Sequence, residues 1–235
     1  MPLDIHTTPT QTVERLAAGP LTLSYLNPYA WKVAKSDPAY PGNLAAMDLV
    51  VCDGIAVQAA VSSVFGIKTP IVSMDFSGIG RSVFAEWART GAPVCLVGGT
   101  AEVIEAARRR IEREFPGINV QGYFNGFGES VVAAREFILA RQPEAVMVAM
   151  GMGLQEAFIQ SLRSEGWNGT GICVGAFFDR LAKPSLEYPG WSTKYNVRFL
   201  GNLGRRPGYY LRRYAIDYLP FLKHYAGHVL SRKRT

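Results

Sequence analysis

Short runs of apolar residues alternate with longer amphipathic stretches along this chain. The apolar runs predict strands at residues 21–26, 48–53, 93–99, 118–124, 145–151 and 171–177. Runs without internal polar positions are typical of strands that are covered on both faces, as in parallel sheets whose connections are helices. We therefore expect an α/β fold with a mainly parallel sheet between layers of helices.

The strongest helix signal lies at residues 100–115, with the sequence TAEVIEAARRRIEREF. Thr100 suits the N-cap position, and an apolar stripe follows at helical spacing, formed by Val103, Ile104, Ala107 and Ile111. The three consecutive arginines at residues 108–110 are expected to form a solvated face paired with neighbouring glutamates, rather than a binding patch.

The C-terminal segment differs in character from the rest of the chain. Residues 198–235 carry nine Lys or Arg and one Asp, whereas residues 1–197 carry 16 basic and 18 acidic residues, so this segment supplies the net charge of +6. Tyrosines and leucines lie between the basic residues, and we expect Pro220 and Gly227 to interrupt any long helix. This composition suits an anionic membrane interface and also nucleic acid, so both partners stay open at this point.

Composition favours one ordinary globular domain with a small appendage. The chain has 235 residues, of which 48% are hydrophobic and 19% are charged. Three widely separated cysteines in apolar segments indicate buried thiols in a reducing compartment, rather than a disulfide framework or a Cys-rich zinc site. Because the sequence has neither a secretion-signal pattern nor an apolar run of about 18 residues, we expect a cytoplasmic protein that does not cross a membrane.

Polar or small residues follow several of the predicted strands. They are Asn27, Asp53 with Gly54, Gly98 with Gly99, and Gly151. Ligands of open α/β sheets bind beyond the carboxyl ends of the strands, so these positions are candidate site residues. The Gly-Gly turn can present backbone N–H groups to a diphosphate or simply permit a tight bend. Likewise, Asp53 can act on a substrate proton or cap the next helix.

Motifs for two common kinds of cofactor chemistry are missing from the sequence. It has no Gly-x-Gly-x-x-Gly fingerprint followed by a ribose-binding acid, which argues against a nicotinamide dehydrogenase. It also has no Asp-x-Asp pair and no clustered carboxylates of the kind that hold a metal. We therefore expect neither a metal nor a cofactor, and any diphosphate would be stabilised by helix N-termini and by Arg or Lys.

Taken in order, these segments resemble the WecG/TagA/CpsF family of bacterial inverting glycosyltransferases. The similar segments are YLNPY, DLVVCDGIAV, VCLVGGTAEVIEAA, INVQGYFNGF, AMGMGLQEAFI, VGAFFDRLA and NVRFLGNLGRRPGYYLRRY. Their order and spacing hold from about residue 21 to residue 214.

The resemblance implies a fold, a reaction and a set of partners. Residues 1–195 would form a Rossmann-like catalytic domain that binds a nucleotide-sugar, and residues 196–235 a basic, aromatic-rich helical appendage that associates with membrane. The implied reaction is metal-independent, inverting transfer of a hexose-type sugar from a UDP-sugar to a polyprenyl-diphosphate-linked saccharide, in exopolysaccharide or cell-surface polysaccharide biosynthesis. The expected partners are these two substrates and the anionic inner face of the cytoplasmic membrane. A homo-oligomer stays open, and nucleic acid is not expected.

The resemblance also assigns roles to single residues. It makes Asp53 the catalytic base, because a single displacement requires one group that takes the proton of the acceptor hydroxyl. Glu156 is expected to secure the start of a helix. The implied substrate-binding residues are Tyr25, Asn27, Gly54, Gly98, Gly99, Gln155, Arg206, Arg212 and Arg213. For Arg212 and Arg213, a membrane-facing role is an equal alternative.

Several positions depart from the family pattern. Tyr25 stands in place of a Thr, Gly153 in place of a Pro, and Asn202 in place of the first arginine of the C-terminal motif. A second arginine of the family is also missing, with only Lys68 nearby, and the candidate replacements are Arg205 and Arg206. The missing cations leave an alternative from another class, a catalytically degenerate protein that binds nucleotide-sugar or lipid within a polysaccharide assembly complex.

Overall fold

A six-stranded, fully parallel sheet forms the centre of the protein. The computed structural model describes residues 6–183, 185, 187–188, 192, 198–205 and 207–232. The strand order is β2-β1-β6-β5-β3-β4, and every neighbouring pair is parallel. The strands are β1 Thr22–Leu26, β2 Leu49–Cys52, β3 Pro93–Gly98, β4 Asn119–Phe124, β5 Ala145–Ala149 and β6 Thr170–Cys173. The predicted α/β class and all six predicted strands are confirmed.

Helices connect the strands and cover the sheet. They are α1 Pro9–Ala18, α2 Tyr29–Ser36, α3 Tyr40–Ala45, α4 Ile55–Phe65, α5 Gly80–Thr90, α6 Ala101–Glu114, α7 Glu129–Arg141, α8 Leu154–Ser164 and α9 Phe177–Ala182. The C-terminal segment forms α10 Arg198–Arg205, α11 Pro207–Arg212, a π-helical turn Arg213–Asp217 and α12 Leu219–Arg232. The expected C-terminal helical segment is thus present.

Successive residues of the central strands pack into two separate apolar clusters. In β3, Val94 and Leu96 belong to one cluster, and Cys95 and Val97 belong to the other. These four side chains are fully buried. Because both faces of the sheet are covered at its centre, β3 and β5 are apolar and buried almost throughout, whereas the edge strand β4 is partly exposed.

Helix α6 begins as predicted but differs at one of its arginines. The Thr100 hydroxyl accepts a hydrogen bond from the Val103 N–H at 3.3 Å, which caps the helix. All three arginines form ion pairs with glutamates of the same helix, as expected. Arg110, however, is only 9% exposed, and its guanidinium binds Glu114 and Glu187. The prediction of a solvated face is wrong for Arg110, because α9 packs over it.

The C-terminal helices pack on α2 and α4. Phe221 of α12 joins a small apolar cluster with Val57 and Val61 of α4, and the His224 ring lies 4.4 Å from the ring of Trp31 in α2. Helix α12 continues through Gly227, so the expected interruption there is wrong.

The predicted boundary between a catalytic domain and an appendage, at residues 195 and 196, lies outside the described residues, and the division stays a prediction.

None of the helices in the described ranges is long and apolar enough to span a bilayer.

Candidate active site

A cavity of about 390 Å³ opens at the carboxyl ends of β1, β2, β5 and β6. The strand ends contribute Tyr25, Asn27, Asp53, Gly151, Gly175 and, from the start of α8, Gln155. The C-terminal segment forms the opposite wall with Tyr210, Arg213, Tyr214 and Tyr218. Loops that leave neighbouring parallel strands create a crevice at this edge, where open α/β sheets bind their ligands. Residues far apart in the sequence therefore share one cavity.

Asp53 lies at the edge of this cavity because it directly follows β2. Its backbone N–H donates to the Leu26 carbonyl at 2.9 Å, so it extends the pairing between β1 and β2 by one residue. Among the described residues that line the cavity, Asp53 is the only carboxylate. The N-cap position of α4 belongs to Gly54, whose φ of 97° suits glycine. The helix-cap alternative for Asp53 therefore does not match the observed start of α4.

Tyr25 presents a buried hydroxyl at the same cavity. The side chain is 8% exposed, and within the described part of the chain its phenolic oxygen has no hydrogen-bond partner. Burial, reinforced by the nearby charge of Asp53, raises the pKa of Tyr25 well above its usual value, so the hydroxyl stays protonated and can donate. An unpaired buried hydroxyl costs about 1–3 kcal/mol, which a bound oxygen acceptor would recover.

A buried hydrogen-bond network fixes Gln155 in the cavity wall. The Gln155 amide donates to Glu156 Oε1 at 3.0 Å, and its carbonyl oxygen accepts from the Gly175 N–H at 3.2 Å. Glu156, which is fully buried, also accepts from the Ser24 hydroxyl at 2.7 Å and from the Gly153 N–H at 2.6 Å. The last bond holds the first turn of α8, as expected for Glu156. Gln155 is therefore oriented before any ligand binds.

Asn27 combines a turn role with a place in the cavity wall. Its side-chain oxygen accepts from the Tyr29 N–H at 3.0 Å and closes the turn at Pro28. The side-chain NH₂ group remains as the donor that can reach a ligand. The turn alternative and the binding prediction are thus compatible at this residue.

The Gly-Gly turn after β3 does not line the cavity that holds Asp53. A Cβ on Gly98 would lie 2.3 Å from the Ala149 carbonyl oxygen, and a Cβ on Gly99 would lie 2.7 Å from Val103 Cγ1. Both residues also have positive φ angles. Close packing therefore accounts for these two glycines, and their nucleotide-binding role stays a prediction. At Gly54 a Cβ would meet only open space.

The arginines of the C-terminal segment are placed differently from one another. Arg213 lines the cavity, where its guanidinium lies 4.7 Å from the Tyr29 ring centroid. Arg212 is exposed and is not part of the cavity lining. Arg206 lies outside the described residues. Of the two adjacent arginines, Arg213 is the one that faces the cavity.

Sequence reasoning missed a second arginine in the cavity wall. Arg180, in α9, lines this cavity and also a smaller neighbouring cavity of about 150 Å³. In the sequence, Arg180 could have been noticed only as the basic residue that directly follows the Phe-Asp pair in the segment VGAFFDRLA.

The three cysteine thiols are buried. Cys52, Cys95 and Cys173 are free and buried, and burial raises the pKa of Cys52 and of Cys95 to about 12. Thiols in such surroundings are inert rather than nucleophilic. Across the described ranges, no three His, Cys, Asp or Glu side chains are grouped as a metal site.

Comparison with known proteins identifies the family. The model described as the glycosyl transferase WecG/TagA/CpsF family matches residues 2–235. The chain belongs to this family. Its fold and the order of its motifs along the chain agree with that membership, so the resemblance inferred from the motifs is confirmed.

Several relatives within this family have assigned activities. The chain is 23% identical to a UDP-Gal:alpha-D-GlcNAc-diphosphoundecaprenol beta-1,4-galactosyltransferase of Shigella boydii, over 85% of this chain and 83% of the relative. It is 26% identical to an N-acetylglucosaminyldiphosphoundecaprenol N-acetyl-beta-D-mannosaminyltransferase of Bacillus spizizenii, over 81% and 73%. A relative of the same name from Bacillus subtilis is 24% identical, over 83% and 75%.

Proposed function

We propose that this protein is an inverting glycosyltransferase that moves a hexose-type sugar from a UDP-sugar to a polyprenyl-diphosphate-linked saccharide, in exopolysaccharide or cell-surface polysaccharide biosynthesis. Family membership and the GlcNAc-diphosphoundecaprenol substrates that appear in the relatives' names support the acceptor class. The name of the Shigella relative supports a UDP-linked donor. The single observation that carries the proposal is Asp53, the one carboxylate among the described residues that line the cavity.

In the proposed reaction, Asp53 is the general base. Its carboxylate takes the proton of the acceptor hydroxyl while that oxygen forms a bond to the anomeric carbon of the donor sugar. The bond between this carbon and the diphosphate breaks on the opposite face, and the leaving UDP keeps the electron pair. Inversion follows because the reaction is a single displacement. Three further side chains would position the sugar hydroxyls or the nucleotide, since each presents a polar group at the same cavity, namely Tyr25, Asn27 and Gln155.

We propose that the leaving diphosphate is stabilised by arginine without a metal ion. Arg213 is the cation that the C-terminal segment contributes to the cavity. A guanidinium at this position would neutralise the charge that develops as UDP departs. Turnover in the presence of excess EDTA should then equal turnover without it, and loss of turnover that Mg²⁺ or Mn²⁺ restores would refute this part of the proposal.

The experiment that tests the reaction is UDP release from a panel of UDP-sugars, with and without a polyprenyl-diphosphate-linked GlcNAc acceptor. We expect acceptor-dependent turnover with one donor, and a decrease in kcat of about a hundredfold or more for Asp53→Asn, which keeps the shape and removes the base. Glu136→Gln, an exposed position on α7, is the matched control and should retain wild-type turnover. Turnover that survives Asp53→Asn would refute the catalytic assignment. Nucleotide binding without turnover for any donor would favour the degenerate assembly partner.

We also propose that the C-terminal helices contact an anionic membrane surface. Among the described side chains of residues 207–232, four large apolar ones are 41–58% exposed, namely Leu211, Ile216, Leu219 and Leu222. They lie among the basic residues that give the segment its charge, a combination typical of interfacial helices. In vesicle flotation, the full-length protein should bind vesicles rich in anionic lipid, and the four Leu or Ile→Ser changes together should abolish binding. Val132→Ser, at an exposed apolar position on α7, should have no effect.

A further inference from the structure

Arg180 lines both of these cavities. Its guanidinium lies 5.9 Å from the ring centroid of Phe177 and 5.4 Å from that of Tyr188. Within the described part of the chain, its buried Nε atom has no hydrogen-bond partner and none of the ion pairs includes Arg180. A partly buried guanidinium normally finds such a partner, because desolvation of an unpaired charge is costly.

Arg180 and Arg213 line the same cavity. Arg180 packs on Tyr188, and Arg213 lies 5.9 Å from the ring centroid of Tyr218. Both tyrosines and Asp53 belong to the cavity lining as well. One guanidinium is therefore supplied by α9 and the other by the C-terminal segment. Among the described residues that line the cavity, the charged side chains are Asp53, Arg180 and Arg213.

We infer that Arg180 is a diphosphate-binding residue of this cavity, acting together with Arg213. The inference rests on the proposed function. Two arginines of the family pattern are missing from this sequence, one in the C-terminal motif and one near Lys68, and Arg180 of α9 would supply a cation in their place. A planar guanidinium fixed by two aromatic rings is suited to a diphosphate, because its N–H groups can contact two oxygens at once. The diphosphate is that of the nucleotide donor or that of the lipid-linked acceptor, which share this chemistry.

The test is calorimetric titration of UDP, uridine and inorganic diphosphate into the full-length wild-type protein and three variants. Arg180→Gln should weaken UDP and diphosphate binding by about tenfold or more while leaving uridine affinity unchanged, since only the phosphate contacts are lost. Arg180→Lys, which keeps the charge, should recover part of this affinity. Arg109→Gln removes an exposed arginine of α6 and should match the wild type.

The possible outcomes distinguish a failure of this inference from a failure of the proposed function. If Arg180→Gln binds UDP normally but shows at least a tenfold higher KM for the lipid-linked acceptor, Arg180 holds the acceptor diphosphate. If neither UDP affinity nor acceptor KM changes, the inference is overturned while the proposed function stands. A parallel loss of uridine affinity would also overturn it, because Arg180 would then act only by shaping the cavity. A wild-type protein that binds neither UDP nor inorganic diphosphate would refute both.

Discussion

The buried carboxylate of Glu156 gives a sharp test of how the cavity wall is built. It accepts three hydrogen bonds, from Ser24, Gly153 and Gln155, and it has no exposed surface. Glu156→Gln keeps the size of the side chain but replaces one acceptor oxygen by an NH₂ donor. In either orientation of the new amide, a buried N–H of Gly153 or Gln155 then faces another donor. The substitution therefore leaves at least one buried N–H without an acceptor.

This defect should lower the free energy of unfolding by about 2 kcal/mol, the typical cost of a buried unsatisfied group. For a chain of this size, that loss corresponds to a decrease in Tm of about 4–8 °C. Thermal unfolding followed by circular dichroism measures it, with Glu136→Gln on the exposed face of α7 as the control, expected to change Tm by no more than about 1 °C. Equal Tm values for the two variants would refute the network as a source of stability.

Three further predictions concern other parts of the molecule. Burial raises the pKa of Tyr25, so the folded protein keeps this proton at pH values where the unfolded chain loses it. The free energy of unfolding should therefore fall as pH rises above about 10. In Tyr25→Phe, the urea midpoint should decrease less steeply over the same pH range. Gly98→Ala should destabilise the fold by about 3 kcal/mol or more in urea unfolding, since φ is +134° and the new Cβ would meet the Ala149 carbonyl; a wild-type midpoint would contradict this. The exposed Lys32–Asp217 pair, at 2.7 Å, should contribute less than about 1 kcal/mol in a double-mutant cycle.

Local pattern was sufficient for the sheet and for part of the site. Strands buried on both faces are mainly apolar, so the runs that form the centre of the sheet could be located before any contact was known. Asn27 and Asp53 directly follow predicted strands, which is why both were predicted as candidate site residues. The pairing of β1 with β2 then places them at the same edge of the sheet. The N-cap at Thr100 was equally local, because a cap depends on the residues of one turn.

Apart from the helix that continues through Gly227, the failures concern contacts between distant segments. Arg110 was expected on a solvated face, yet the helix that covers it is formed by residues 177–182. Arg180 carries no helical or motif signal that distinguishes it from a surface arginine, and its place beside Tyr188 depends on how α9 meets the sheet. Similarly, the resemblance gave Arg212 and Arg213 the same binding role, whereas the structure places Arg213 in the cavity lining and leaves Arg212 exposed.

The sequence by itself determined the class of fold, the six strands, the family and the position of Asp53, because each depends on residue types and spacings within a few turns of chain. Tertiary structure alone decided which polar groups meet at one cavity, which of two adjacent arginines faces it, and which carboxylate is buried as a structural acceptor. The physical reason is that burial and electrostatic pairing depend on every segment that surrounds a group, and in this protein those segments come from β1, α8, α9 and the C-terminal helices together.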